Sequence, residues 1–410
     1  MDFKIAWRNI WRNPRRSILT ICATSFACIV LVFMLSFQFG SYETMINTSV
    51  KIQTGHLQIQ AEGYKEKNDI RLVISNGEKV AALLRDIPEV RGFSLRSQAF
   101  SLVSVKNRTY GALVTGIDPK TEPSVSRLKS LVRSGSFLGD GAQNEAIVGN
   151  LLAKNLRISI GDEITILGQG RDGSIAATVL KIKGIFSSGI TELDRSALFI
   201  PLDTFNEVYT MQGAVHQVVI VLDSLSHVHR VKNRLIQGIQ DISNDPPLVV
   251  LDWEELMPGL RQGIEMDLIS GMIFYLILIL VVAFSIMNTF LMAIFERTRE
   301  FGVLMAIGVT PRRLTKLLLM ESIGLTAIGI ASGTIAGILI TYYFQVHGID
   351  VSGASEILSQ FGIGGRLHPR LGVLSISIGP GAVLLITLLA ALYPALKVQS
   401  FKPVEAMAAA

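Results

Sequence analysis

Four charges crowd into five residues, Glu296-Arg297-Thr298-Arg299-Glu300, inside an otherwise apolar stretch that reads NTFLMAIFERTREFGVLMAIGV over residues 288–309. On a helix, acids and bases at this spacing can do two things. Glu296 and Glu300 sit i,i+4 with Arg297 between them, so the charges can satisfy one another along the helix. Alternatively they can make polar contacts to a second protein. The residues that follow favour a second protein. FGVLMAIGV carries no charge, and such a run exposed to water would be an aggregation liability. It must be covered, by a partner or by the membrane surface, and an apolar face of Phe301, Leu304 and Met305 suits a helix lying against a partner. A solvated loop whose arginines only fixed topology would not need that face.

Other chemistry is sparse. GQGRDG, residues 168–173, matches a dinucleotide-binding glycine pattern. That site requires a helix to begin there, with its N-terminus facing a pyrophosphate. The residues after it, SIAATVLKIKGIF, alternate as a strand, and Asp172-Gly173 signals a hairpin turn. No phosphate-binding G-x-x-x-x-G-K-[ST] occurs anywhere in the chain. The two cysteines, Cys22 and Cys28, both lie in an apolar stretch, so no disulfide framework is implied. No catalytic residue and no metal site is expected.

The elements that would position the charged knot follow from hydropathy. The 410 residues are 49% hydrophobic and only 17% charged. An ordinary soluble domain is about 25% charged. Residues 17–42, 268–295, 322–349 and 371–396 contain no Asp, Glu, Lys or Arg. A bilayer core needs roughly 20 apolar residues in a helix, so the fold class expected is an α-helical membrane protein with four transmembrane helices. Lys4, Arg8, Arg12, Arg15 and Arg16 precede the first span. Arg297, Arg299, Arg312, Arg313 and Lys316 separate the second and third, and Lys397 and Lys402 follow the fourth. The loop between the third and fourth spans has only Arg366 and Arg370. Basic residues mark the cytosolic side, which places both termini and the knot in the cytosol and residues 43–267 outside. The net charge of +5 reflects this topology rather than nucleic-acid binding. The expected segments are an interfacial helix at 1–16, spans at 17–42, 268–295, 317–344 and 371–396, a cytosolic link at 296–316, a short external loop at 345–370 and a tail at 397–410. RRSILT at Arg15 faintly resembles a twin-arginine signal, but the apolar stretch is too long for one and is expected to be a retained anchor.

Residues 3–12 place Phe3, Trp7, Ile10 and Trp11 on one helical face, opposite most of the basic residues. That pattern suits a helix lying in the headgroup region, with Pro14 ending it; a plain basic flank is the alternative. The external segment reads as one or two small mixed α+β subdomains. Its strands include GHLQIQ, two within residues 100–117, GDEITIL, ATVLKIKGIF and VHQVVIVLDS. One amphipathic helix carries Val80, Leu83, Leu84 and Ile87, and another carries Val228, Val231, Leu235 and Ile239. In the third span, Gly329, Gly333 and Gly337 form a smooth ridge for another helix. Packing within the chain and contact with a second copy both account for it.

Glu296–Ser322, with Asn288 before it and Glu321-Ser322 at its end, resembles the hallmark of the FtsX-like permease family, the membrane subunits of type VII ABC transporters. YPALKVQSFKPVEAM at Tyr393–Met407 resembles that family's close, and AWRNIWRNPRRSILT its opening. GIDP, EAIVGNLLAKNLRISIGDEITIL and VLKIKGIF resemble its external domain. The resemblance implies that a separate cytosolic ATPase, in two copies, binds ATP and magnesium, while this chain binds no cofactor and acts as a non-catalytic subunit of the bacterial inner membrane. It implies that Glu296, Arg297, Glu300, Gly302, Ala306 and Gly308 contact that ATPase, the glycines by close backbone approach. It also implies a second permease chain, identical or related. Glu321 could stay charged by pairing with Arg312 or Lys316. LDWEELMPGLRQGIEMD before the second span resembles the connector of lipoprotein-releasing permeases, which extract lipoproteins or similar amphiphiles by mechanotransmission. A macrolide-exporter-like permease and a non-transporting relay that activates a cell-wall hydrolase are the alternatives.

Overall fold

The computed structural model describes residues 2–141, 143–350 and 366–397. Most of the loop expected at 345–370 and nearly all of the tail expected at 397–410, including Lys402, lie outside the described residues. The chain divides into two compact units. One comprises residues 2–42, 263–350 and 366–397, and the other comprises 43–262, inserted between them.

The first unit is helical. Among the described residues, four helices are long and apolar enough to cross a membrane: Pro14–Ser49, Pro258–Glu296, Pro311–His347 and Val373–Lys397. The first two outrun the charge-free stretches that announce them. A 36-residue helix is about 54 Å long, well beyond a hydrocarbon core of about 30 Å. Glu43 at one helix's end and Glu265 and Asp267 at the other's start do not stop the helix, because charge ends a span and not a helix.

The glycine ridge of the third long helix faces the first long helix of the same chain. A side chain at Gly329 would meet Thr24 at 2.7 Å, one at Gly333 would strike the Ser25 backbone, and one at Gly337 would press on Val32 at 3.2 Å. The closeness lets Ser25 donate a hydrogen bond to the Gly329 carbonyl at 3.0 Å. Of the two accounts open from sequence, packing within the chain is the one this geometry satisfies.

The inserted unit is built on a ten-stranded mixed sheet. Its strands are β1 (Leu57–Ala61), β2 (Val90–Val105), β3 (Arg108–Ile117), β4 (Val132–Gly135), β5 (Glu145–Gly149), β6 (Glu163–Gln169), β7 (Ile175–Phe186), β8 (Ala197–Pro201), β9 (Gln217–Leu222) and β10 (Leu248–Asp252). They run in the order β10-β1-β9-β2-β3-β8-β5-β7-β4, with β6 joining β2 to β7. β2 is long enough to serve both ends, so the sheet is continuous where two small sheets were also conceivable. Several apolar cores result, of which two are large. Leu57, Ile59, Val218 and Ile220 pack under the helices Gly77–Arg85 and Val228–Ile239. Val114, Val148, Ile166 and Leu180 pack with Leu152 and Phe205. Asn76 caps the first of those helices, its side chain accepting from Lys79 N–H at 3.2 Å. GQGRDG forms the β6–β7 hairpin: Gly173 takes φ +89, and the Asp172 carboxylate accepts from Ser174 N–H at 2.9 Å. No helix begins there, so the pyrophosphate geometry is missing.

Candidate functional site

The charged knot sits where the second long helix breaks. That helix ends at Glu296, and a nine-residue linking helix, Thr298–Ala306, follows at once. Its end is a Schellman stop: Val309 N–H donates to the Leu304 carbonyl at 3.0 Å and Gly308 N–H to the Met305 carbonyl at 3.1 Å. Gly308 takes φ +99 with nothing within 4 Å of where a Cβ would sit. A glycine is needed here for the left-handed turn, whereas sequence reasoning expected it to permit a close approach. Pro311 then opens the third long helix at its first turn, as expected.

The apolar side of the linking helix is not free. Phe301 and Met305 are buried with Ile294, Leu314 and Leu318, and Leu304 and Val309 pack on the same cluster. The face expected to meet a partner therefore closes the elbow between the chain's own second and third long helices. Hydrophobic pattern alone cannot distinguish a face buried within the chain from one buried between chains. Burial of Gly302 belongs to the same packing. The opposite face is open: Arg299, Val303, Ala306 and Ile307 are exposed, Ile307 at 73%. Of the expected contact residues, Ala306, Gly308 and Glu296 are exposed, Glu300 is partly so, and Arg297 and Gly302 are turned inward. Sequence reasoning missed Arg299, Val303 and Ile307, although their i, i+4, i+8 spacing on one helix was readable.

Glu300 and Arg297 belong to a chain of ion pairs. Arg12 donates to both Glu300 oxygens, at 2.7 and 3.2 Å. Arg297 Nε donates to Glu300 at 3.2 Å and its Nη1 to Glu321 at 3.4 Å, while Arg16 reaches Glu321 at 3.5 Å. The Arg297 guanidinium also lies 5.4 Å from the Phe301 ring centre. Arg16 and Arg297, not Arg312 or Lys316, accompany the buried Glu321. The N-terminal residues supply what spacing along the link could not. Burial pushes the Glu300 carboxyl up, but hydrogen bonds from Arg297 and Arg12 outweigh it and hold it below the usual carboxylate range. Among the described residues Glu296 makes no hydrogen bond within this relay, although its charge acts on Arg16. It borders a cavity of about 550 Å³ with Asn13, Arg15, Arg16 and Asn288.

The helix Asp2–Ile10 packs beside this network. Ala6 and Ile10 are buried, and Ile10 lies against Gly324 of the third long helix. Trp7 and Trp11 are exposed, their rings edge-to-face at 6.5 Å. The single face read from sequence thus splits: Ile10 turns into the protein while the two tryptophans remain available to an interface.

Comparison with known proteins reaches both units. A model of the FtsX-like permease C-terminal region matches residues 272–403, and one of the MacB-like periplasmic core domain matches residues 17–237. The chain belongs to the FtsX-like permeases that carry a MacB-like periplasmic core domain, and is an ABC transporter permease of that type. Among its relatives, the lipoprotein-releasing system transmembrane protein LolC of Xylella fastidiosa is 22% identical over 336 residues, 80% of this chain and 77% of its own. LolE of Haemophilus influenzae, from a lipoprotein-releasing system too, is 22% identical over 430 residues, 99% of this chain and 98% of its own. The macrolide export ATP-binding/permease protein MacB of Campylobacter jejuni is 21% identical over 359 residues, 85% of this chain and 54% of its own.

Proposed function

We propose that this permease carries force from a separate ATP-hydrolysing subunit to its inserted domain, and that its cargo is a lipid-anchored protein or similar amphiphile leaving the inner membrane. The observation that carries the reading is the two-sided linking helix. One side is locked to the second and third long helices by Phe301 and Met305, and the other offers Arg299, Val303, Ala306 and Ile307. A lever needs both: a grip for the motor and a rigid tie to what it moves. Two ATPase copies, holding ATP and magnesium, would grip the links of two permease chains, whether identical or merely related. This chain would do no catalysis itself. The basic flanks support a cytosolic link and cytosolic termini, with the inserted domain outside. The relation to LolC and LolE supports lipoproteins as cargo.

Affinity purification of the full chain from its native membrane tests the motor. It should retain a P-loop ATPase, and the Val303→Asp/Ile307→Asp double variant should lose it while still reaching the membrane. No ATPase with the unaltered chain, or equal retention by the variant, overturns the proposal. Site-specific crosslinkers at Phe37 or Phe39 should trap acylated proteins; capture of only a hydrolase or a duct adaptor would remove the cargo assignment.

A further inference from the structure

Strand β1 reads LQIQA, and its two faces have different fates. Leu57 and Ile59 enter an apolar core, whereas Gln58 and Gln60 point to the other side. Alternation of this kind ordinarily puts the polar face in water. Here it does not: Gln58 is 4% exposed and Gln60 2%.

Register brings more polar side chains onto the same face. Gln60 pairs with Gln217 of β9, which pairs with Arg96 of β2. Two residues along β2, Gln98 pairs with Thr115 of β3. Since directly paired residues share a face, these groups form one patch. They line a cavity of about 310 Å³ together with Tyr64, Lys65 and Asn68, and with apolar walls that include Leu113 and Phe199.

The polar groups are incompletely satisfied by the protein. Gln58 Nε2 donates to the Thr54 carbonyl at 2.9 Å, and Gln217 Nε2 to Gln98 Oε1 at 3.3 Å. The Gln60 amide and the Thr115 hydroxyl, both at least nine-tenths buried, make no side-chain hydrogen bond to a described residue. Their polar atoms open onto the cavity rather than being sealed in the protein, so an occupant that both donates and accepts can pair with them. The occupant need not be charged, because Arg96 is already held by Glu122 through two bonds of 2.6 and 3.1 Å, and Lys65 Nζ already donates to the Glu255 carbonyl.

The geometry points to a binding pocket in the inserted domain for a small, neutral, hydroxyl-rich solute of monosaccharide or polyol size. Hydroxyls suit the amides because each can donate to Oε1 or accept from Nε2. The apolar walls suit the C–H faces of a ring. A volume near 300 Å³ lies at the small end of ligand sites and admits no long peptide. This site is independent of the motor contact, so either proposal can fail without the other.

Ligand-observed NMR on the full chain in phosphatidylcholine nanodiscs, free of sugar detergents, tests the pocket. The probes are glucose, N-acetylglucosamine, myo-inositol and glycerol, with glucuronate as the charged control. At least one neutral probe should bind saturably, and glucuronate should bind more weakly than that probe. Gln60→Leu should weaken binding about tenfold, the equivalent of one hydrogen bond, with no loss of thermal stability, since it removes no side-chain hydrogen bond to a described residue. Thr115→Val provides a second, smaller change and should weaken the same probe. A cavity holding water only would give no saturable binding by any probe, and that result overturns the inference. So does binding unchanged in both variants, or preferential binding of glucuronate.

Discussion

Protonating His216 and His56 should loosen the inserted domain from its sheet outward. Both imidazoles are buried and burial pushes each down to about 4, from an ordinary value near 6.5. Nδ1 of His216 accepts from Gln98 N–H at 3.0 Å, and its Nε2 donates to the Ile70 carbonyl at 3.0 Å. Nδ1 of His56 accepts from Leu222 N–H at 3.0 Å. Each ring is therefore required neutral, with Nδ1 as acceptor. A depressed histidine contributes stability that is full above the unfolded value and is lost as pH falls toward the folded value. Between pH 7 and pH 4 the loss is about 3 kcal/mol per histidine, since each pKa unit is about 1.4 kcal/mol. Hydrogen exchange of the full chain, corrected for the intrinsic pH dependence, should show the opening free energy at the Gln98 and Leu222 amides falling over this range. His216→Asn should flatten the fall at Gln98. Protection at both amides that stays constant from pH 7 to pH 4 would show that these rings are not held neutral as described.

Further outcomes follow from packing and charge. Gly333→Leu places a side chain against the Ser25 backbone; it should cost about 3 kcal/mol, the upper end for overpacking, read as a lower melting temperature, whereas Gly381→Leu, with open space at its Cβ, should cost little. Lys232 donates to Asp252 at 2.9 Å and to Glu255 at 2.5 Å, beside the Asp252–Glu255 capping box. Lys232→Met leaves buried Asp252 without its cation, and should destabilise the inserted domain by about 3 kcal/mol, seen as faster exchange in residues 248–256.

How much of this was readable depended on whether a signal was local. Charge-free stretches announced the four long helices, and alternation announced β1, β6 and β7. Pro311 and Asp172-Gly173 marked a helix start and a hairpin because their backbone preferences need no tertiary context. By contrast, β5 and β8 are short apolar runs, EAIVG and ALFIP, buried on both faces by neighbours far away in sequence. Nothing local distinguishes them from helix. The site divides the same way. The link and its stop were visible, yet which face stayed open depended on Ile294, Leu314 and Leu318, and Glu300 and Glu321 drew partners from Arg12 and Arg16, 288 and 305 residues away.

The lever account stands on which side of the linking helix a motor touches. A photo-crosslinking residue placed singly at Ile307 and at Leu304, in cells expressing the full chain, reads that out. The account predicts capture of a P-loop ATPase from position 307 and none from position 304, which should instead crosslink within the chain. Equal capture from both positions, or only lipid from position 307, would contradict it.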